Sequence, residues 1–187
     1  MPIPTFIEIP DFSGTSKKSG VLKDSSEINY PLVRFDDTEL AAVLSSVSGT
    51  YGNGEIVGTA LTFNLAAANV GWSGAIQGAS LNVNNTILAA DTLSLLLFTR
   101  AVTATNDTAL SALVLADADA DSFVGAVTFA NAFTLSSRTL FNAGALNLKY
   151  TSDPALSSLT GFLVLNTASS RILSAARIAV KLQVTRS

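Results

Sequence analysis

The chain has 187 residues, 48% hydrophobic and 13% charged, with a formal net charge of −3 and neither histidine nor cysteine. This composition excludes a disordered chain, disulfides and thiolate chemistry, Ser-His-Asp or Cys-His catalysis, and the usual zinc and copper sites. The length fits one compact domain with an appended arm, large enough to bury a sizeable core.

The only basic doublet is Lys17-Lys18. A nucleic-acid binder needs a basic patch to meet phosphates, so no nucleic-acid partner is expected. The N-terminus MPIPTFIEIP lacks a basic n-region and a long apolar h-region, so a signal peptide is not expected. No run approaches the roughly 18 apolar residues of a membrane span. The longest candidate, Leu88 to Phe98, is broken by Asp91, Thr92 and Ser94.

Charge divides the chain. Eleven of the 25 charged residues lie from Glu8 to Glu39, and none lies between Glu55 and Asp91. The contrast predicts an extended N-terminal arm over residues 1–45 and a β-sandwich domain over residues 46–187. In the arm, Pro2, Pro4 and Pro10 flank TFIEI, an edge strand or extended stretch. Asp11 to Lys18 reads as loop and Asn29 to Phe35 as another extended piece. Asp37 to Leu44 reads as two turns of helix, capped by Asp37 or Thr38. Two readings of the segment stand side by side: an ordinary first strand pair of the domain, or an arm that docks on a neighbouring subunit.

The body reads as strands separated by turns. Glu55 to Leu65 ends with Leu61, Phe63 and Leu65 on one face; Ala75 to Val83 follows, with Gly78 marking a bulge. Asn84-Asn85-Thr86 is a turn. Leu93 to Phe98 is a short apolar block, which suits a strand buried on both faces. Asn106-Asp107-Thr108 reads as loop, Asp117 to Ser122 as one helical turn, and Phe123 to Phe129 as the next strand. Arg138 to Asn142, Ala145 to Thr151, Leu159 to Asn166 and Ser174 to Thr185 complete the set. In the last, Ile178, Val180, Leu182 and Val184 share a face, the period of a half-buried strand. Eight strands at this spacing predict an all-β antiparallel sandwich, jelly-roll-like.

Chemistry is left to carboxylates and aromatics. Asp117, Asp119 and Asp121 have the spacing that opens a calcium loop, but Ala120 stands among them and the later Gly and bidentate Glu are absent. The favoured reading is a solvated turn, in which an Asp caps a short helical turn that delivers Phe123 to the core. Asp36, Asp37 and Glu39 stand either as a catalytic carboxylate pair or as a helix N-terminus. Trp72, between Gly71 and Ser73, stands either as a sugar platform or as a loop anchor. No catalytic, cofactor-binding or metal-binding residue is assigned. The charge-free stretch Ile56 to Ala90 predicts contact with a sister subunit around Trp72, because interface centres are depleted of charge.

The order LLLFTRAVTATNDTALSALVLADADADSFVGAVTF, then ALNLKYT, then LTGFLVLNTA, resembles small tailed-phage structural proteins, the capsid decoration or cement proteins. The resemblance covers Ala75 to Arg186 and leaves out the N-terminal segment. It implies a β-sandwich on the head shell, a trimer, and no catalytic residues to carry over. The expected function is therefore that of a structural virion protein on the capsid surface. It would decorate and stabilise a phage capsid and have the major capsid protein as partner. It would need no cofactor and would not be an enzyme. The alternative is a carbohydrate- or receptor-binding β-sandwich module of a phage tail or fibre, and a carboxylate-based enzyme stands third.

Overall fold

The computed structural model describes residues 6–10, 16–20, 22–23, 29–30, 37–65, 73–102, 104–107, 111–115, 117–151 and 158–186. The chain forms two compact units, Met1–Asp36 and Asp37–Ser187. In the first, β1 (Phe6–Pro10) pairs antiparallel with β2 (Ser16–Gly20). There β3 (Leu22–Lys23) pairs with β4 (Asn29–Tyr30). Residues 16–18, read from sequence as loop, thus lie in β2.

The second unit is built from β5 (Asp37–Tyr51), β6 (Leu61–Asn64), β7 (Ser73–Val83), β8 (Thr92–Phe98), β9 (Ala104–Asp107), β10 (Ser111–Leu115), α1 (Asp117–Ala120), β11 (Phe123–Phe129), β12 (Ala132–Leu135), β13 (Arg138–Ala143), β14 (Leu148–Thr151), β15 (Ser158–Asn166) and β16 (Arg171–Arg186). One sheet has the order β12-β13-β7-β16-β5, with β14 also on β7; the other has β11-β8-β15-β6. All their pairings are antiparallel.

Eight strands make the frame: β5, β6, β7, β8, β11, β13, β15 and β16. Numbered in that order, the first, eighth, third and sixth share one sheet, and the second, seventh, fourth and fifth share the other. This is the strand order of a jelly roll, two interlocked Greek keys. The expected all-β sandwich is thus found, with a jelly-roll topology.

Period-two patterning decides what faces the core. Leu93 and Leu95 of β8 oppose Leu165 and Leu163 of β15, Leu97 opposes Gly161, and Leu159 of β15 opposes Phe63 of β6; all these leucines are fully buried. Ile178, Val180, Leu182 and Val184 of β16 meet them from the other sheet, in the same cluster. Each such side chain contributes on the order of 2 kcal/mol by leaving water. Phe129 of β11 meets Phe141 of β13 across the sandwich, ring centres 6.4 Å apart. On the opposite face Phe98, Phe162 and Ile56 form a second cluster, which buries β15 on both sides and leaves Ser94 and Leu96 of β8 half-buried. That is why β15 shows little alternation of polar and apolar residues.

Gly161 in β15 leaves room for side chains of its neighbours in the same sheet, β6 and β8. A β-carbon there would sit 2.9 Å from Phe63 Cε2 and 3.0 Å from Leu95 Cδ1. Gly125 has φ of 153°, just after the irregularity where β11 loses register with β8. The expected bulge at Gly78 is present: Gln183 pairs with Gly78, but Val184 pairs with Ile76.

The structure corrects the sequence reading at four more places. Asp37 to Leu44 is not helix but the start of β5, paired with β16 from Thr185↔Asp37 onward. The unit boundary lies at Asp36, not at residue 45. Asn106 and Asp107 lie in β9, which forms a hairpin with β10 that the sequence reading left out. In β5 and β9 strand pairing overrides local preference, which is helical for the Ala- and Leu-rich run and turn-forming for Asn-Asp. Finally, the predicted strand from Glu55 is strand only over Leu61–Asn64; Ile56 makes one isolated bridge to Val164.

Candidate functional site

The polar groups of the second unit concentrate in two places. The first is a loop cluster at one end of the sandwich. The turn after β7 is locally coded: Asn85 Oδ1 accepts from Ile87 N at 3.3 Å, and Ala89 N and Asp91 N close on Thr86 O and Leu88 O. Leu88 anchors the turn in the core. This delivers Asp91, only 4% exposed, to the loop that precedes β16. Arg171 Nε and Nη2 donate to the two Asp91 carboxylate oxygens at 2.7 and 2.8 Å, and Thr167 Oγ1 donates to Oδ1 at 2.7 Å.

Burial alone pushes the Asp91 carboxyl up. The hydrogen bonds from Arg171 and Thr167, and the Arg171 charge, outweigh it and hold the group below the usual carboxylate value. The loop after β5 joins the cluster: Asn53 Oδ1 accepts from Thr167 N at 3.1 Å, and buried Glu55 accepts from Gly52 N. Both carboxylate oxygens of Asp91 accept hydrogen bonds, so the arrangement holds three loops together. The sequence reading missed Asp91 as a site. Its one signal was position: it is the acid that ends the uncharged stretch.

The residues singled out from sequence do not assemble. In the acidic turn, Asp119 lies 3.8 Å from Arg100, and its carbonyl accepts from Ser122 Oγ and N. Asp121 is exposed, and the Asp117 side chain lies outside the described residues. Among the described residues no group of three His, Cys, Asp or Glu side chains is placed to hold a metal ion. Glu39 pairs with Lys181 at 2.8 Å on the surface. Asp36 and Trp72 lie outside the described residues, as does the Asp37 side chain. Asn84 serves the fold: its Oδ1 accepts from Arg177 N at 2.6 Å. Among the described residues no helix is long and apolar enough to cross a membrane.

The second place is the outer face of the sheet β12-β13-β7-β16-β5. Register alone puts Phe133, Leu140, Asn82, Ala179 and Val43 in one row across five strands. The next row is Asn142, Ser80, Lys181 and Ala41. Small residues in the central strands leave a depression of about 500 Å3 between Leu140 and Val43. A smaller one of about 190 Å3 shares Ser80, Asn142 and Lys181 with it. Phe133, 63% exposed, ends the first row. Single-strand reading cannot find this surface, because each strand contributes only one or two of its residues.

No protein-family model matches the sequence, and no curated protein is significantly similar to it. Among solved structures, the chain is similar to the decameric BFDV capsid protein, at 13% identity over 82% of this chain and 99% of that one, with a TM-score of 0.28. It is similar to the Desmodium yellow mottle tymovirus structure at 13% identity over 84% and 91%, with a TM-score of 0.25. It is also similar to the CBM22-1–GH10 modules of Clostridium thermocellum xylanase 10B at 11% identity over 83% and 28%, with a TM-score of 0.26. Likenesses this distant carry no functional argument, and the strand order itself is the firmer statement of the fold.

Proposed function

We propose that this chain is a structural virion protein that decorates and stabilises a phage capsid by binding its major capsid protein. The observation that carries the proposal is the jelly-roll strand order of residues 37–187. That architecture recurs in virus shells, and also in lectin domains and cupins. Fold alone does not fix function. The pattern of blocks from Ala75 to Arg186, similar to decoration proteins, and the weak charge of the body favour the virion reading over the others.

In this reading the protein works through surfaces and catalyses nothing. The charged unit Met1–Asp36 is the attachment element, and the jelly roll forms a trimer on the capsid surface. The test is cosedimentation of the full chain with purified undecorated phage heads. Saturable binding, with heads that resist heating better once coated, is the expected result. Heads that pellet without the protein at any concentration would remove the proposal.

A further inference from the structure

The two sheets of the jelly roll end on β12 and β5 and on β11 and β6, and β5 is the edge that stands apart. β6 and β12 have four residues each, and β11 breaks register beside Gly125. Short strands and bulges keep an edge from pairing with another chain. β5 has neither defence through Leu44: from Asp37 to Leu44 its register with β16 is unbroken, and it shifts only beyond. Its 15 residues include no Lys, Arg or Pro. Among the described residues β5 pairs with β16 alone, so one row of its N–H and C=O groups faces outward. Six consecutive residues, Val43 to Ser48, line one depression of about 380 Å3 with Gly58 and Thr59. Side chains alternate across a strand, so a consecutive run borders one space along the strand's edge.

We propose that β5 is a self-association edge, extended by antiparallel pairing with the β5 of a second copy of this chain. Outward N–H and C=O groups at strand spacing are matched by another extended backbone. The second copy supplies one that its own sheet already holds straight, so little ordering entropy opposes the contact. A two-fold axis through Ala41 makes the edge self-complementary. It sets Leu40 against Ala42, Glu39 against Val43 and Asp37 against Ser45 of the second copy. No acid then faces an acid, and Glu39 keeps its own Lys181 at 2.8 Å. Ala41, exposed and small, meets its counterpart at the axis. The pairing joins two six-stranded sheets into one.

The inference depends neither on capsid binding nor on a trimer. A two-fold contact doubles whatever assembly the rest of the surface makes. Sedimentation equilibrium of the isolated full chain is therefore expected to show an even-numbered assembly. Its Kd should be on the order of 10 µM, because a narrow edge buries little area. Ala41→Glu places two carboxylates face to face at the axis, while within each copy the new acid lies across from Lys181. It should leave the chain folded and weaken association more than about tenfold, which halves the assembly mass. Ala41→Lys should do the same through its own like-charge pair. An equimolar mixture of the two variants should regain the wild-type mass, because Glu then faces Lys across the axis.

A wild-type chain that stays monomeric, or strictly trimeric, at about 100 µM overturns the proposal. Association that a folded Ala41→Glu or Ala41→Lys protein retains overturns it, and so does a mixture of the two that stays apart. If one variant does not fold, the other decides together with amide exchange of the wild type. Exchange within Asp37–Leu44 should slow as the protein concentration rises, and exchange that ignores concentration overturns the proposal.

Discussion

Asp91 and Arg171, 80 positions apart in sequence, form a two-pronged ion pair at 2.7 and 2.8 Å. Its carboxylate side is buried, and a third donor, Thr167, completes it. Asp91→Ala strands these donors, so it should cost about 1–3 kcal/mol of unfolding free energy. Urea denaturation of the two proteins at neutral pH measures it. Equal midpoints would mean that the pair adds nothing to the fold.

The same pair sets a pH dependence. The Asp91 carboxyl is held below its ordinary value in the folded state. Its contribution is therefore complete above the unfolded carboxyl value, near pH 4. It is lost as the pH falls through the lower folded value. The stability gap between wild type and Asp91→Asn should be flat from neutrality down to about pH 4 and close below that. Urea midpoints at a series of acidic pH values test this. A gap that closes already near neutrality would show that another group carries the effect.

Phe63 lies where a side chain at position 161 would be, 2.9 Å from an added β-carbon. Gly161→Val should therefore overpack the core and cost about 1–3 kcal/mol. Phe63→Leu in the same chain should recover part of that loss, since residues in contact couple in a double-mutant cycle. Additive effects of the two changes would show that they do not touch.

How far the fold was legible follows from where local pattern and tertiary pairing agree. Leu61, Phe63 and Leu65 alternate with polar residues and are buried as the alternation predicts. Leu159–Asn166 is buried on both faces up to Leu165, while Leu93–Phe98, expected to be the same, is buried on the face of Leu93, Leu95 and Leu97 and half-buried at Ser94 and Leu96 on the other. β5 was not legible, because Leu40, Val43, Leu44 and Val47 also fit a helical period. The structure chooses Leu40, Ala42 and Leu44 for the core and leaves Val43 47% exposed. The Asp91–Arg171 pair and the outer-face rows join distant strands, so no window of sequence contains them.

That choice in β5 is itself testable. Ala42→Lys places a charge among buried neighbours and should cost about 2–3 kcal/mol. Val43→Lys puts the same charge on the outer face of an edge strand, where lysine is at home, and should stay within about 1 kcal/mol of wild type. Thermal melts of both variants decide. The reverse order would restore a helical seam through Val43.

The last prediction concerns the boundary between the two units. Cutting after Asp36 leaves β5 whole, with Leu40, Ala42 and Leu44 still buried against the core. Cutting after Ser45 removes more than half of β5 and strips β16 of its partner over Ile178–Thr185. A long unpaired edge rich in Ile, Val and Leu invites aggregation. The chain lacking residues 1–36 should therefore unfold cooperatively, with a melting temperature close to that of the full chain. The chain lacking residues 1–45 should be insoluble or molten, because it loses a frame strand of the jelly roll. The shorter deletion also bears on attachment: a folded protein that no longer sediments with capsids would assign binding to Met1–Asp36. Undiminished sedimentation would move the attachment surface to the jelly roll. An unfolded protein after the shorter deletion would make the N-terminal unit part of the folding core.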